Sequence, residues 1–379
     1  MGTDYRREFS DFEGAAYLNI ANQGPLPRVA ARAAQAAIDL KRLPHLLPEN
    51  LYFDLPDAIR EKLARLIGGR AEEIAITAGA TSGMCAVAAG MEFQPGDEVI
   101  VAEGEFPAHF STWLPYQHAG KLNVRVIAPR GRFITAADYA EHITPKTRLV
   151  SASLVRFDNG ALLDAAQVAK ACHASGAALL LDITQAAGAI PLSIRALGAD
   201  FAICSGYKWL LGPYGTGFFW IAEEWQERLR LGPVYWMAVD GARNFHTLPL
   251  TGLKLSSGAR RWDSAETASF TNLAAWDASI DFVLQTGVEA VANHNRGLVE
   301  EIIERLPRDC CVLASPAEAA RRGAYVCISA RKANGNQELF VKLRGEKIYV
   351  SLRENALRIS PYLYNTREDV ARLIKALTA

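Results

Sequence analysis

No segment of the 379-residue chain is apolar for long enough to span a bilayer, and none is internally repeated or of low complexity. Neither sign of charge is in excess. Forty-one Lys and Arg stand against 41 Asp and Glu, so no general field draws the chain to nucleic acid or an anionic membrane, and any anion site must be local. Cysteine pairs at metal or redox spacing are also missing. The six cysteines (Cys85, Cys172, Cys204, Cys310, Cys311, Cys327) contain no CxxC and lie in apolar or helical surroundings, which points to reduced, mostly buried thiols rather than a disulfide frame or zinc site. The opening residues, with Asp4, Arg6, Arg7, Glu8 and Asp11, are too polar for a signal peptide, so the expected location is the cytoplasm.

What is present is a globular composition, 50% apolar and 22% charged. At this length a single core rarely keeps growing, so a large domain and a smaller one are expected. From Glu73 onward short β-branched runs (73–77, 98–102, 124–128, 148–155, 178–183, 201–205, 215–221) alternate with helical patterns (81–91, 136–143, 164–175, 193–197). That alternation predicts an α/β domain with a parallel, doubly wound sheet, and Asp164 suits the N-cap of its helix. A Gly- and Pro-bearing passage over 234–263 follows. Two long helices (273–286, 288–306), strands near 325–329, 348–352 and 357–360, a helix near 336–342 and a closing helix (366–377) then predict an α+β second domain. We assign residues 26–259 to the large domain, and 1–25 with 260–379 to the small one.

Ligands of an open parallel sheet bind outside the carboxyl ends of its strands. Four features fall there. Asp182 ends the run Leu179-Leu180-Leu181, and Lys208 follows 26 positions later in Ser205-Gly206-Tyr207-Lys208-Trp209. An amine able to form a Schiff base and a carboxylate able to keep a ring nitrogen protonated are the two protein groups that pyridoxal phosphate chemistry needs. Gly79-Ala80-Thr81-Ser82 opens a helix whose amides and dipole suit a phosphate, although Thr81 or Ser82 would serve equally as a plain cap. Phe106 could stack on a cofactor ring or pack in the core, and Arg358, in Leu357-Arg358-Ile359, could bind a substrate carboxylate or form a structural ion pair.

These motifs resemble class V, fold type I pyridoxal phosphate enzymes, a group that includes aminotransferases, cysteine desulfurases, kynureninases and isopenicillin N epimerase-like proteins. The likeness runs from Tyr17-Leu18-Asn19 and Gly24-Pro25 to Tyr364-Asn365-Thr366, and its most specific part is Asp182-Ile183-Thr184-Gln185 with Ser205-Gly206-Tyr207-Lys208. The resemblance implies a large domain with a mostly parallel sheet, a smaller α+β C-terminal domain, and pyridoxal 5'-phosphate as cofactor. By similarity Lys208 forms the Schiff base, Asp182 holds the pyridine nitrogen, Gln185 contacts the ring oxygen, and Ala80, Thr81, Ser205 and Tyr207 hold the phosphate. Phe106 occupies the stacking position and Arg358 that of the substrate-carboxylate arginine. It further implies a homodimer with Thr267 reaching a neighbouring subunit's phosphate. Asn159, in the unusual turn Arg156-Phe157-Asp158-Asn159, is the candidate for a further cofactor contact, and Asn22 is expected near the substrate.

The cofactor does not choose the reaction, because transamination, racemisation and elimination share a Cα proton transfer for which the freed Lys208 is the natural base. A desulfurase needs a mobile reactive cysteine. The stretch 328–358 has none, and Cys327 lies in the strand-like Tyr325-Val326-Cys327-Ile328. An aminotransferase is therefore the leading expectation, with a kynureninase-like lyase or an epimerase as alternatives and a desulfurase last. A non-catalytic binding module would have no need of both Lys208 and Asp182.

Overall fold

The computed structural model describes residues 5–249, 251–267, 269–354 and 356–378. The N-terminal segment holds the short strand β1 (Ala16–Tyr17) and helices α1 (Arg28–Arg42) and α2 (Leu51–Ile67). Then come β2 (Ile74–Thr77), α3 (Ala80–Gly90), β3 (Glu98–Ala102), α4 (Ala108–Ser111), α5 (Leu114–His118), β4 (Asn123–Ile127) and α6 (Ala136–His142). The sheet is completed through β5 (Thr147–Ser153), α7 (Ala165–Ala174), β6 (Ala178–Asp182), α8 (Ile194–Leu197), β7 (Phe201–Ser205) and β8 (Gly217–Ile221). The C-terminal part comprises α9 (Phe270–Thr286), α10 (Val288–Glu304), β9 (Cys311–Leu313), β10 (Val326–Ala330), α11 (Gly335–Gly345), β11 (Ile348–Tyr349), β12 (Ser351–Arg353), β13 (Ala356–Ile359) and α12 (Arg367–Thr378).

The main sheet has the order β2-β8-β7-β6-β5-β3-β4. Neighbours from β7 to β4 pair in parallel, as the alternation predicts, but β8 runs antiparallel to both β7 and β2. The reason lies in the connection. Residues 206–216 contain no helix to carry the chain back across the sheet, so it can only reverse. Side chains alternate between two apolar layers: Ile76, Val150, Leu181 and Phe218 on one face, Val101, Leu149, Leu180 and Phe219 on the other. Burial on both faces explains why these strands read as continuous apolar runs.

A second sheet, β12-β13-β10-β9, packs with α10, α11 and α12 around Leu298, Ile302, Val326, Leu357 and Leu373. Its strands pair antiparallel, and β1 pairs with β11 beside it. Asp164 caps α7 by accepting from the Gln167 amide. Helices α1 and α2, which the sequence pattern did not disclose, pack on α9. The first is alanine-rich, and Pro56 interrupts the pattern of the second.

Chain reversal after β7 builds the turn that carries Lys208. The Gly206 amide donates to Thr216 O at 2.8 Å, the Gly212 amide to Gly206 O at 2.8 Å, and the Leu211 amide to Lys208 O at 3.1 Å. Leu211 takes the left-handed conformation at φ 56°. The N-terminal segment lies directly on this turn, where the Gly24 amide donates to Tyr207 O at 2.9 Å. A Cβ on Gly24 would stand 2.1 Å from Lys208 O, so no other residue fits without moving backbone. Gly24→Ala should therefore lower unfolding stability by about 1–3 kcal/mol in urea titrations. Gly297→Ala, on α10 with nothing within 4 Å of the added methyl, should leave stability unchanged or raise it. Equal effects of the two substitutions would contradict the packing.

Candidate active site

All the parallel strands end on the same edge of the sheet, and the chemistry-bearing residues collect in one cleft there. Gly79, Ala80 and Thr81 come from the turn after β2, Phe106 from that after β3, and Ser153, Val155 and Phe157 from the end of β5 and beyond. Asp182, Thr184 and Gln185 follow β6, and Ser205, Tyr207 and Lys208 follow β7. Ala80, Thr81, Phe106, Asp182, Gln185, Ser205, Tyr207 and Lys208 thus share one site, as the sequence motifs require.

Lys208 is 9% exposed. Its Nζ lies 5.6 Å from the centroids of both the Phe106 and Tyr207 rings, and it has no ion-pair partner among the described residues. Burial, with Arg358 nearby, pulls the amine down to about 8 although Asp182 acts in the opposite sense. An amine at that value keeps a far larger neutral fraction near physiological pH than an ordinary lysine, and that fraction can attack a carbonyl.

Asp182 accepts from the Thr184 amide at 2.8 Å, and its Oδ2 lies 3.8 Å from His109 Nε2. Burial alone would raise its pKa; the contact with His109 and the Thr184 amide outweigh burial and hold it below the usual value. Thr184 also accepts from the Ser205 amide at 3.0 Å, which sets the ends of β6 and β7 in register across the cleft. Gln185 lines the cleft, but its side chain is engaged. Its Nε2 donates to Ala21 O at 3.0 Å and its Oε1 accepts from Trp209 Nε1 at 2.7 Å, so it braces the Lys208 turn and keeps one N–H for the cleft.

The turn into α3 is built for an anion. Gly79 sits at φ 156° and ψ 176°, a conformation that L side chains rarely adopt. A Cβ on the facing Gly217 would lie 2.5 Å from Gly79 Cα. Ser205 Oγ accepts from the Ala80 amide at 3.2 Å, and Tyr207 packs on Tyr214 at the rim with ring centroids 4.7 Å apart. A helix start with small residues and adjacent hydroxyls suits a phosphate without any basic side chain.

Arg358 is 2% exposed and on β13 beside Cys327. Its Nη1 donates to Phe157 O at 3.0 Å, its guanidinium lies 5.7 Å from the Tyr325 ring centroid, and its buried Nε has no partner. Among the described residues it makes no ion pair, so the structural-pair alternative does not hold. A buried guanidinium lacking a carboxylate is what a substrate carboxylate would complete. These features fit pyridoxal phosphate and an amino acid: an unpaired amine of lowered pKa, a buried carboxylate, an anion cradle and an arginine with an orphaned donor.

Four sequence assignments do not line the cleft: Arg358, which reaches only the carbonyl of the lining residue Phe157, and three others. Asn159 turns away: its Oδ1 accepts from the Ala161 amide and its Nδ2 donates to Asp158. Its neighbour Phe157 enters instead, edge-on to Phe106 at 5.4 Å, because Arg156 is drawn inward by Asp158 at 3.0 Å and Glu105 at 3.4 Å. Thr267 donates to Ser264 O and lies outside the cleft of its own chain. Asn22 is exposed, and its Oδ1 accepts from Arg353 Nη2 at 2.8 Å. Conversely, His109, to which the sequence motifs assign no role, is fully buried against Asp182. Its i,i+4 spacing from Glu105 was the available signal.

The Aminotransferase class-V family profile matches residues 50–373. A probable cysteine desulfurase of Methanothermobacter thermautotrophicus is 29% identical over 308 residues, 79% of this chain and 74% of the relative. The isopenicillin N epimerase of Streptomyces clavuligerus is 28% identical over 379 residues, covering 96% of this chain and 94% of the relative. A solved C-DES mutant with glycine covalently linked to its pyridoxal phosphate cofactor superposes with TM-score 0.89 at 22% identity, covering 99% of both chains. With the profile spanning most of its length, the chain belongs to the class V aminotransferase family, the fold type I pyridoxal phosphate-dependent enzymes.

Proposed function

We propose that this pyridoxal phosphate enzyme is an aminotransferase, moving an amino group between an amino acid and a 2-oxo acid. The observation that carries the reading is the make-up of the cleft, where Lys208 is the one amine among the lining residues and no cysteine is present. When bound, the cofactor supplies the electron sink for the bond broken at the substrate's Cα. The chain's own groups do the rest. Arg358 would bind the substrate carboxylate and so select the bond to be broken, Phe106 and Asp182 would help hold the cofactor, with Asp182 favouring a protonated ring nitrogen, and Lys208 Nζ would accept the Cα proton.

An epimerase or carbon-bond lyase is the second reading. It shares the Lys208 step and is favoured by the 28% identity to an isopenicillin N epimerase over nearly the full chain. A desulfurase ranks below both. Cys327 is fully buried, accepts no role in the cleft lining, and burial pushes its thiol up to about 12, so it is neither accessible nor ionised.

Adding single amino acids to the holoenzyme should convert its absorbance to that of the pyridoxamine form, and a 2-oxo acid should reverse it. Racemisation or side-chain cleavage without that conversion would select the second reading. The Lys208 amine also makes a pH prediction. The neutral form is the nucleophile, so the rate at which apoenzyme captures pyridoxal phosphate should rise with pH through about 8 and level off above it. A rise continuing to the ordinary lysine range would refute the burial effect. Arg358→Ala should raise KM for carboxylate substrates roughly 10- to 100-fold with cofactor affinity retained; an unchanged KM would remove its assigned role.

A further inference from the structure

His109 is a buried titratable group that the steps above do not use. Its ring is fully buried, and Nδ1 lies 2.8 Å from Ser151 Oγ on β5. Nε2 faces two carboxylates at once: Asp182 Oδ2 at 3.8 Å and Glu105 Oε2 at 4.0 Å, with Ser153 Oγ at 3.5 Å. Glu105 is itself buried. It accepts from the Ser153 amide at 2.9 Å and the Ser153 hydroxyl at 2.7 Å and lies 3.4 Å from Arg156, whose guanidinium is shared with Asp158 at 3.0 Å. Two carboxylates therefore face one fully buried imidazole, and Arg156 is divided between Glu105 and an acid of its own.

We infer that His109 is a positioning residue that stays an imidazolium and holds Asp182 as a carboxylate, with Glu105 as the second anion that keeps the imidazolium charged. A neutral imidazole would leave Glu105 and Asp182 as like charges on the same ring face, partly offset by Arg156 alone, and one carboxyl would then take up a proton. A protonated Asp182 could no longer hold a proton on the cofactor's ring nitrogen. The other groups facing the pair act in the same balance. Tyr139 on α6 lies near Glu105 and burial keeps its hydroxyl protonated, while Lys208 is close enough to feel the charge of Asp182. For His109 itself burial disfavours the charge, but Glu105 and Asp182 outweigh it and raise the pKa above the ordinary 6.5. The imidazolium is accordingly lost only at a higher pH than that of an ordinary histidine.

The inference rests on Asp182 facing the ring nitrogen, and its test separates the two ideas. In 15N-histidine apoenzyme, with the His109 signal identified by its loss in His109→Gln, long-range proton–nitrogen spectra at pH 7.5 should show both ring nitrogens protonated. Glu105→Gln should move the loss of that proton to lower pH. His109→Gln, which keeps a hydrogen-bonding group without the charge, should weaken pyridoxal phosphate binding about tenfold, and the loss should deepen as Asp182 is neutralised at lower pH. A neutral His109 in wild-type apoenzyme at pH 7.5, or unchanged cofactor affinity in His109→Gln, overturns the inference. Asp182→Asn is the control: if it leaves cofactor affinity unchanged, the reading of Asp182 fails, whereas weakened binding there with a neutral His109 sinks only the role of His109.

Discussion

Two buried cations without carboxylate partners of their own, Lys208 and Arg358, set the terms for this protein. Taking a charge out of water is costly unless something opposite in sign meets it. At Lys208 the cost emerges as an amine brought down to about 8, and at Arg358 as a guanidinium with an orphaned buried Nε. Asp182, at the end of β6, faces the imidazole of His109. The cleft is thus electrostatically incomplete in the direction of an anionic ligand, although the chain as a whole is neutral.

Holding those cations in place takes rigid backbone rather than strong pairing. Lys208 sits in a turn closed by Gly206, Gly212 and Thr216 and pressed by Gly24 from the N-terminal segment. Arg358 is fixed by pairing of β13 with β10 and by the Tyr325 ring. Tyr325 in turn donates its hydroxyl to Arg156 O, so the turn that positions Phe157 and the strand that positions Arg358 are tied together. The N-terminal segment and the C-terminal sheet thus brace a cleft whose lining comes from the large sheet and its turns. That dependence makes a small change such as a methyl on Gly24 consequential for chemistry as well as for stability.

Behind the cleft, the network of Glu105, His109, Ser151, Ser153, Arg156 and Asp182 shows how an acid can stay ionised while buried. Hydrogen bonds from Ser153 and Thr184 and the imidazole contact replace the water that burial removes. The same groups explain why Asn159 is turned away, since Arg156 and Asp158 complete their charges inward and leave Asn159 to close the loop on Ala161.

Residues whose role depends on neighbours in the chain were legible from the chain. Apolar runs buried on both faces marked the strands, Asp182 and Lys208 fell at strand ends, and the small-residue start of α3 marked the anion cradle. The packing of helices α1 and α2, the engagement of Gln185 and the inward pull of Arg156 that turns Asn159 away were not legible, because each is settled by contacts between segments far apart in sequence. His109 is the sharpest case. Its spacing from Glu105 was visible, but only the folding of β5 and β6 side by side brings Ser151 and Asp182 to its ring. The sequence by itself determined the cofactor chemistry, since that chemistry needs particular residue types at strand ends. Only the tertiary structure decided which buried charges go unpaired, and those are the charges a substrate must answer.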